Sequence, residues 1–218
     1  MENRIVVVTG IKGGTGKSTI TSLLAHYLAD RGIGVIVFDA DIQATVRNER
    51  TDDKKKNPDA VTPWDVHSII AHDDFERLIR QMKRMQGVVL IDCPGSIDDP
   101  RLQLLYKEAY MAVIPFRYDR KNVQATYGFY KAFRKVSRAM TLFVPNMVSP
   151  FEGFRRSFRE AKAFAEEHFL NYDSPGITPR IMDRIELRDS NTLAMTSRQR
   201  SEVKNAFNEI IRYLNIEQ

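Results

Sequence analysis

The sequence predicts an α/β fold, a single domain over residues 1–218 with a mostly parallel, twisted sheet flanked by helices. Three observations carry that expectation. Short β-rich runs alternate with longer stretches of helical period, the pattern of βαβ units. Most of the short runs are apolar throughout, as strands buried on both faces should be. The chain is 218 residues long, 43% hydrophobic and 28% charged, which is ordinary globular composition and enough length to bury one sizeable core.

In order along the chain, strands are expected at Ile5–Thr9, Val35–Asp39, Val88–Asp92, Met111–Pro115, Thr141–Val144 and Ile177–Met182. Between them, Lys17–Asp30 places Ile20, Leu23, Leu24 and Tyr27 on one helical face, and Asp74–Met85 does the same with Phe75, Ile79 and Met82. Asn122–Val136 and Phe154–His168 read as helices on the same grounds. A last helix over Ser201–Leu214 carries a stripe of Val203, Ala206, Phe207, Ile210, Ile211 and Leu214. Residues 47–63 are polar, mixed in charge and poor in apolar side chains, and read as an exposed, solvated loop.

Composition excludes several classes. The single cysteine, Cys93, rules out a disulfide framework and a multi-cysteine metal site within one chain, and fits a reducing compartment. The first residues lack the form of a signal peptide, and no apolar run approaches the ~18 residues of a membrane span. A cytoplasmic protein is expected. The net charge of +5 is uneven: residues 1–116 hold 15 Lys/Arg against 16 Asp/Glu, residues 117–218 hold 18 against 12. A basic half attracts polyanions, although excesses of that size also occur in proteins that bind none.

The stretch most informative about chemistry follows the first strand and opens a helix: Gly10-Ile11-Lys12-Gly13-Gly14-Thr15-Gly16-Lys17-Ser18-Thr19. That context is what a P-loop requires, and it makes the expected fold that of a P-loop NTPase. Glycines let backbone N–H groups wrap phosphates, and the helix N-terminus adds its positive dipole end. Lys17 supplies charge to the β- and γ-phosphates, Ser18 a hydroxyl for Mg²⁺, and Thr19 a second hydroxyl for a distal phosphate. Where the general motif wants its first glycine stands Ile11, and a second lysine, Lys12, follows.

This Lys-Gly-Gly-Thr-Gly-Lys-Ser string resembles the deviant Walker A motif of the ParA/MinD superfamily of ATPases. The resemblance extends from Ile5 to Leu214, and the layout is closest to the small ParF type. It implies that Lys12 crosses a dimer interface to the partner's nucleotide; a surface lysine held near an anion is the alternative. Asp39-Ala40-Asp41-Ile42-Gln43 resembles the family's first switch, with Ile42 in place of the usual proline. By that match Asp41 orients the attacking water and Asp39 supports the Mg²⁺ shell. Two carboxylates at i and i+2 of a strand point the same way and are tolerated only beside cations. Val88–Asp92 has the Walker B form, so Asp92 should reach Mg²⁺ through water, and Pro94-Gly95 resembles the second switch. Cys93 reads as a small apolar residue between them.

Farther on, the resemblance makes Asn146 and Asp183 adenine-side residues, although a strand-ending Asn and a loop Asp are also common turn-formers. On the helix after Phe154, Arg155, Arg156, Arg159 and Lys162 form a row facing away from Phe154, Phe158, Ala161 and Ala165. Such a row can contact DNA phosphates or be a solvated face balanced by Glu160, Glu166 and Glu167; the resemblance favours DNA and adds Arg188. The implied activity is slow hydrolysis of ATP with Mg²⁺, in a cycle of ATP-driven homodimerisation, nonspecific DNA binding, and stimulation by a ParB-like or other cargo-adaptor protein. Its expected work is positioning or partitioning DNA or a cargo complex of a plasmid, chromosome or conjugative element, with nucleoid association when ATP is bound. The alternatives are a MinD-like membrane-cycling regulator and a metabolic P-loop kinase or synthetase.

Overall fold

The computed structural model describes residues 3–11, 13–41, 43–69, 74–170 and 174–216. The chain runs β1 (Arg4–Val8), α1 (Lys17–Ala29), β2 (Val35–Asp39), α2 (Thr45–Lys56), β3 (Asp65–Ser68), α3 (Phe75–Met82), β4 (Val88–Asp92), α4 (Pro100–Glu108) and β5 (Met111–Phe116). It continues with α5 (Arg120–Val136), β6 (Met140–Pro145), α6 (Arg156–Phe169), β7 (Gly176–Ile177), α7 (Ile185–Arg188) and α8 (Ser197–Leu214). The strands form one seven-stranded parallel sheet in the order β3-β2-β4-β1-β5-β6-β7.

Alternation along each strand divides the core into two layers. Val6 and Val8 face a layer made with α1 and α8, while Ile5 and Val7 face one made with α3 to α6. Both faces of β4 are buried in the same way, with Val88 and Leu90 on one side and Val89 and Ile91 on the other. Connections leave β1 toward β2 and leave β4 toward β5, so the order reverses between these neighbouring strands. A crevice opens there at the carboxyl ends, where α/β sheets hold their ligands. No helix of the described residues is long and apolar enough to cross a membrane.

Besides adding β3, α4 and α7, the structure departs from the sequence expectation in four places. Residues 47–63 are not simply a loop, because α2 covers Thr45–Lys56. Its buried face consists of Val46 and Arg50 at i and i+4, too little apolar surface to reveal a helix. The expected strand Ile177–Met182 reduces to Gly176–Ile177 plus a single bridge between Val148 and Met182, since Pro179 lacks the N–H a ladder needs. Phe154 does not share the buried face of α6. It lies in a 3-10 turn (Glu152–Phe154) before that helix and is 86% exposed. The fourth departure is Asp41, which stands beyond the end of β2, so only Asp39 points as a strand residue.

Candidate nucleotide site

Register explains the site's acidic floor. Asp39 and Asp92 are Cα partners across β2 and β4, and Val8 pairs Asp92 from the other side. Neighbours in register on parallel strands project to the same side, so these two carboxylates lie side by side beneath the loop that follows β1. Both are buried, Asp39 at 0% and Asp92 at 1% exposure. Burial raises Asp39 above the ordinary carboxylate range and pushes Asp92 up to about 7. Two desolvated carboxylates beneath a phosphate loop form a site that gains from a cation.

The side chains of α1 reach down to this floor. Ser18 Oγ donates to Asp92 Oδ2 at 2.6 Å, and Thr21 Oγ1 stands 3.2 Å from Asp92 Oδ1 and 3.0 Å from the Lys17 carbonyl. Thr21 was not singled out from the sequence, although its i+3 spacing from Ser18 places it on the same helical face. The Lys17 charge lowers Asp92 against the larger effect of burial, which puts the ammonium within electrostatic reach. These donors are hard oxygens, two carboxylates and a hydroxyl, and suit Mg²⁺, which takes few protein ligands and leaves room for water and phosphate. Among the described residues no cluster of three or more His, Cys, Asp or Glu competes as an all-protein metal cage.

The loop is shaped by its glycines where shape is demanding. Gly14 and Gly16 have φ of +71° and +87°, and a Cβ on Gly16 would stand 2.4 Å from Asn146 Nδ2. Gly16 is also the N-cap of α1, and no side chain caps that helix start, the end of a helix that favours an anion. Gly13, Thr15 and Thr19 complete the loop; Lys12 and Ile42 lie outside the described residues. Gly95 packs on the same loop from the β4 side: a Cβ there would be 2.7 Å from the Ile11 carbonyl and 3.1 Å from that of Gly10. Tyr106 Oη fastens the arrangement, 3.0 Å from Thr9 Oγ1 and donating to the Ser96 carbonyl at 3.0 Å. Cys93 is fully buried and its thiol is pushed up by burial, so it serves as packing.

Asp39 also holds the segment after β2. Its carboxylate accepts the Asp41 N–H at 3.1 Å and the Arg47 N–H at 3.2 Å, capping α2, whose N-cap residue Ala44 offers no side-chain acceptor. Asp41 is half-buried, and its Oδ1 accepts the Gln43 N–H at 2.9 Å in a local turn.

On the other side of the loop a cleft enclosing about 380 Å³ of space continuous with solvent brings together Thr19, Asn146, Asp183, Arg184, Leu187 and Arg188. The two expected adenine-side residues thus share one cleft with the loop. Asn146 Nδ2 donates to the Thr15 carbonyl at 2.8 Å, so this strand-ending amide positions the phosphate loop. Asp183 forms a two-oxygen pair with Arg188, at 2.6 and 2.7 Å to Nη2. Arg188 thus lines the cleft, away from α6, with its side chain largely exposed. On α6, Arg156 pairs with Glu160 at 2.7 Å and Lys162 with Glu166 at 3.4 Å, whereas Arg155 and Arg159 have no ion-pair partner among the described residues.

Comparison with known proteins agrees with this geometry. The sequence profile of the CobQ/CobB/MinD/ParA nucleotide-binding domain matches residues 6–170. The septum site-determining protein MinD of Synechocystis is 30% identical over 124 residues, a match spanning 44% of this chain and 47% of that protein. Among solved structures, a plasmid partition protein (BB_S35) of Borrelia burgdorferi bound to AMPPNP superposes with a TM-score of 0.73 at 16% identity, covering 97% of this chain and 99% of that one. The ATP complex of a substituted McdA from Cyanothece gives 0.69 at 16% identity, covering 100% and 98%.

Proposed function

Because the chain belongs to the CobQ/CobB/MinD/ParA nucleotide-binding domain family, we propose that it is a Mg²⁺-dependent ATPase that dimerises on ATP and, as the dimer, binds nonspecific DNA to position or partition DNA or a cargo complex. The observation that carries the reading is the convergence of the Gly13–Thr19 loop, Asp39 and Asp92 at the crevice between β1 and its neighbours.

In this reading the N–H groups at the start of α1 and the Lys17 ammonium bind the phosphates. The Ser18 hydroxyl and the Asp92 and Asp39 carboxylates hold Mg²⁺, directly or through water. When bound, the ion neutralises charge on the phosphate oxygens. Asp41, on its turn at the mouth of the crevice, orients the attacking water. Gly95, pressed on the loop, transmits the presence of the terminal phosphate to the segment that Tyr106 anchors. Lys12 reaches the partner's nucleotide, so Lys12→Ala should impair dimerisation more than monomer affinity. The base lies in the cleft of Asn146 and Asp183.

Arg155 and Arg159, with Arg156 and Lys162 behind their ion pairs, supply the surface for DNA phosphates, contacting charge rather than sequence. A ParB-like or other adaptor stimulates hydrolysis and releases the dimer. Fluorescence anisotropy of a random-sequence duplex, titrated with ATP, ADP or no nucleotide at several salt concentrations, tests this. Binding confined to ATP and weakening steeply with salt is expected. ATP-dependent dimers that ignore DNA at low salt would remove the DNA half of the proposal.

A further inference from the structure

One helix, α2, is tied near its start to the acidic floor and farther along to the segment that follows α7. At its start, Asp39 accepts the Arg47 N–H, so the carboxylate beside the proposed metal position also fixes where the helix begins. One turn later Arg50 and Asp53, at i and i+3 on the same face, close on a single residue, Thr192. Arg50 Nε donates to Thr192 Oγ1 at 2.9 Å and Nη2 to the Thr192 carbonyl at 2.9 Å. Asp53 Oδ2 accepts the Thr192 N–H at 2.8 Å and lies 2.9 Å from its hydroxyl.

Every polar atom of Thr192, which is 0% exposed, is therefore engaged by this pair. Arg50 is 8% exposed, and its remaining nitrogen donates to the Trp64 carbonyl at 2.8 Å while the guanidinium lies 4.1 Å from the indole centroid. A buried arginine with all its nitrogens directed at fixed acceptors has one geometry; a shift of α2 must move Thr192 or break the set. Thr192 stands four residues past α7, which brings Leu187 and Arg188 to the cleft. Gln199 Nε2 holds the Glu186 carbonyl of α7 at 2.7 Å, tying the same segment to α8.

We infer that Arg50, Asp53 and Thr192 are positioning residues that couple the metal side of the nucleotide site to its base side through α2. Displacement of Asp39 on cation binding is transmitted to the segment flanking the cleft, so the base and the cation favour each other's binding. By linkage the effect is reciprocal, and couplings of this kind are commonly about five- to 150-fold. The inference rests on the reading of the loop and cleft as a Mg²⁺-nucleotide site, and adds that its two ends are linked outside the site itself.

The test is a binding cycle on the full chain. Dissociation constants are measured for ATP and for inorganic tripolyphosphate, each with saturating Mg²⁺ and with EDTA. The single tryptophan, Trp64, under the Arg50 guanidinium, provides the fluorescence signal, with calorimetry as the check. The factor by which Mg²⁺ tightens ATP, divided by the factor by which it tightens tripolyphosphate, reports the link between base and cation. About fivefold or more is expected for the wild type. Thr192→Val and Arg50→Lys should bring it toward one with Mg²⁺-tripolyphosphate affinity unchanged, and Thr192→Ser, which keeps the hydroxyl, should restore it.

A general loss of packing would weaken all four constants together, so an unchanged tripolyphosphate constant separates positioning from destabilisation. A wild-type factor of one overturns the inference even if Thr192→Val fails to fold, and so does a factor that Thr192→Val leaves at the wild-type value. A wild type that binds neither ATP nor tripolyphosphate with Mg²⁺ overturns the site reading, and the coupling with it.

Discussion

Asp92 offers a prediction whose sign follows from burial alone. Its carboxyl titrates near 3.8 when unfolded and is pushed up to about 7 in the metal-free fold, with desolvation outweighing the Ser18 and Thr21 hydrogen bonds and the Lys17 charge. A folded-state value above the unfolded one means that the contribution to stability is fully present below pH 3.8 and is lost as pH rises to about 7. At about 1.4 kcal/mol per pH unit, the whole window is worth up to about 4 kcal/mol. Asp92→Asn keeps the shape and cannot ionise. In EDTA and without nucleotide, the variant should gain on the wild type by about 2–3 kcal/mol between pH 5 and pH 7. Urea unfolding at both pH values reads this directly, and the difference between the two proteins cancels the other carboxylates. Saturating Mg²⁺ and nucleotide should narrow the gap, because a bound cation stabilises the ionised form. Unfolding curves whose separation is the same at both pH values would refute the argument that buried charge is what this carboxylate carries.

Gly16→Ala forces a Cβ to 2.4 Å from Asn146 Nδ2 at a φ of +87°, and should cost about 1–3 kcal/mol in thermal or urea unfolding while weakening nucleotide binding. A variant with wild-type stability and affinity would contradict the packing described. Lys17→Ala should abolish ATP binding in calorimetry, whereas Asp41→Ala should bind ATP and form long-lived dimers with little phosphate release; prompt hydrolysis by the Asp41 variant removes its assigned role. His26 is buried, its Nε2 lies 3.1 Å from the Asn191 carbonyl, and it is lowered below 6.5 chiefly by desolvation. Its contribution to stability is thus present above pH 6.5 and lost as pH falls below it, and His26→Gln should flatten that acid-side loss in pH-dependent melting.

The sequence made the crevice legible because its parts are local. A P-loop is a run of consecutive residues, and the apolar runs ending in Asp39 and Asp92 announce strands whose carboxyl ends must share an edge in a parallel sheet. What stayed hidden is whatever depends on a partner distant in sequence. β3, Asp65–Ser68, is a short edge strand half open to solvent and lacks the apolar run that marked its neighbours. α4 carries a readable start, Asp99 capping with Pro100 at the first position, and buries Leu102, Leu105 and Tyr106 at i, i+3 and i+4, but at nine residues it offers only this one short repeat of the helical period. Asn146 directly follows a strand the sequence already marks, yet its engagement of the Thr15 carbonyl, 131 residues earlier, follows only from the sheet order.

The case of α2 goes further than an unread helix. Its composition suits solvent because most of its surface meets solvent, and the residue that fastens it is charged, with acceptors 14 and 142 residues away. A buried guanidinium costs desolvation, visible here in the lowering of Arg50, and is retained only where several fixed acceptors compensate. Apolar residues of equal volume could bury α2 against the same neighbours, but would tolerate sliding of α2 along the segment before α8. The Arg50–Asp53–Thr192 set tolerates little sliding, since each bond has its own direction. Such directional restraint is what a helix needs if a small movement of Asp39 near its start is to be felt in the segment that follows α7, instead of dissipating in repacking between them.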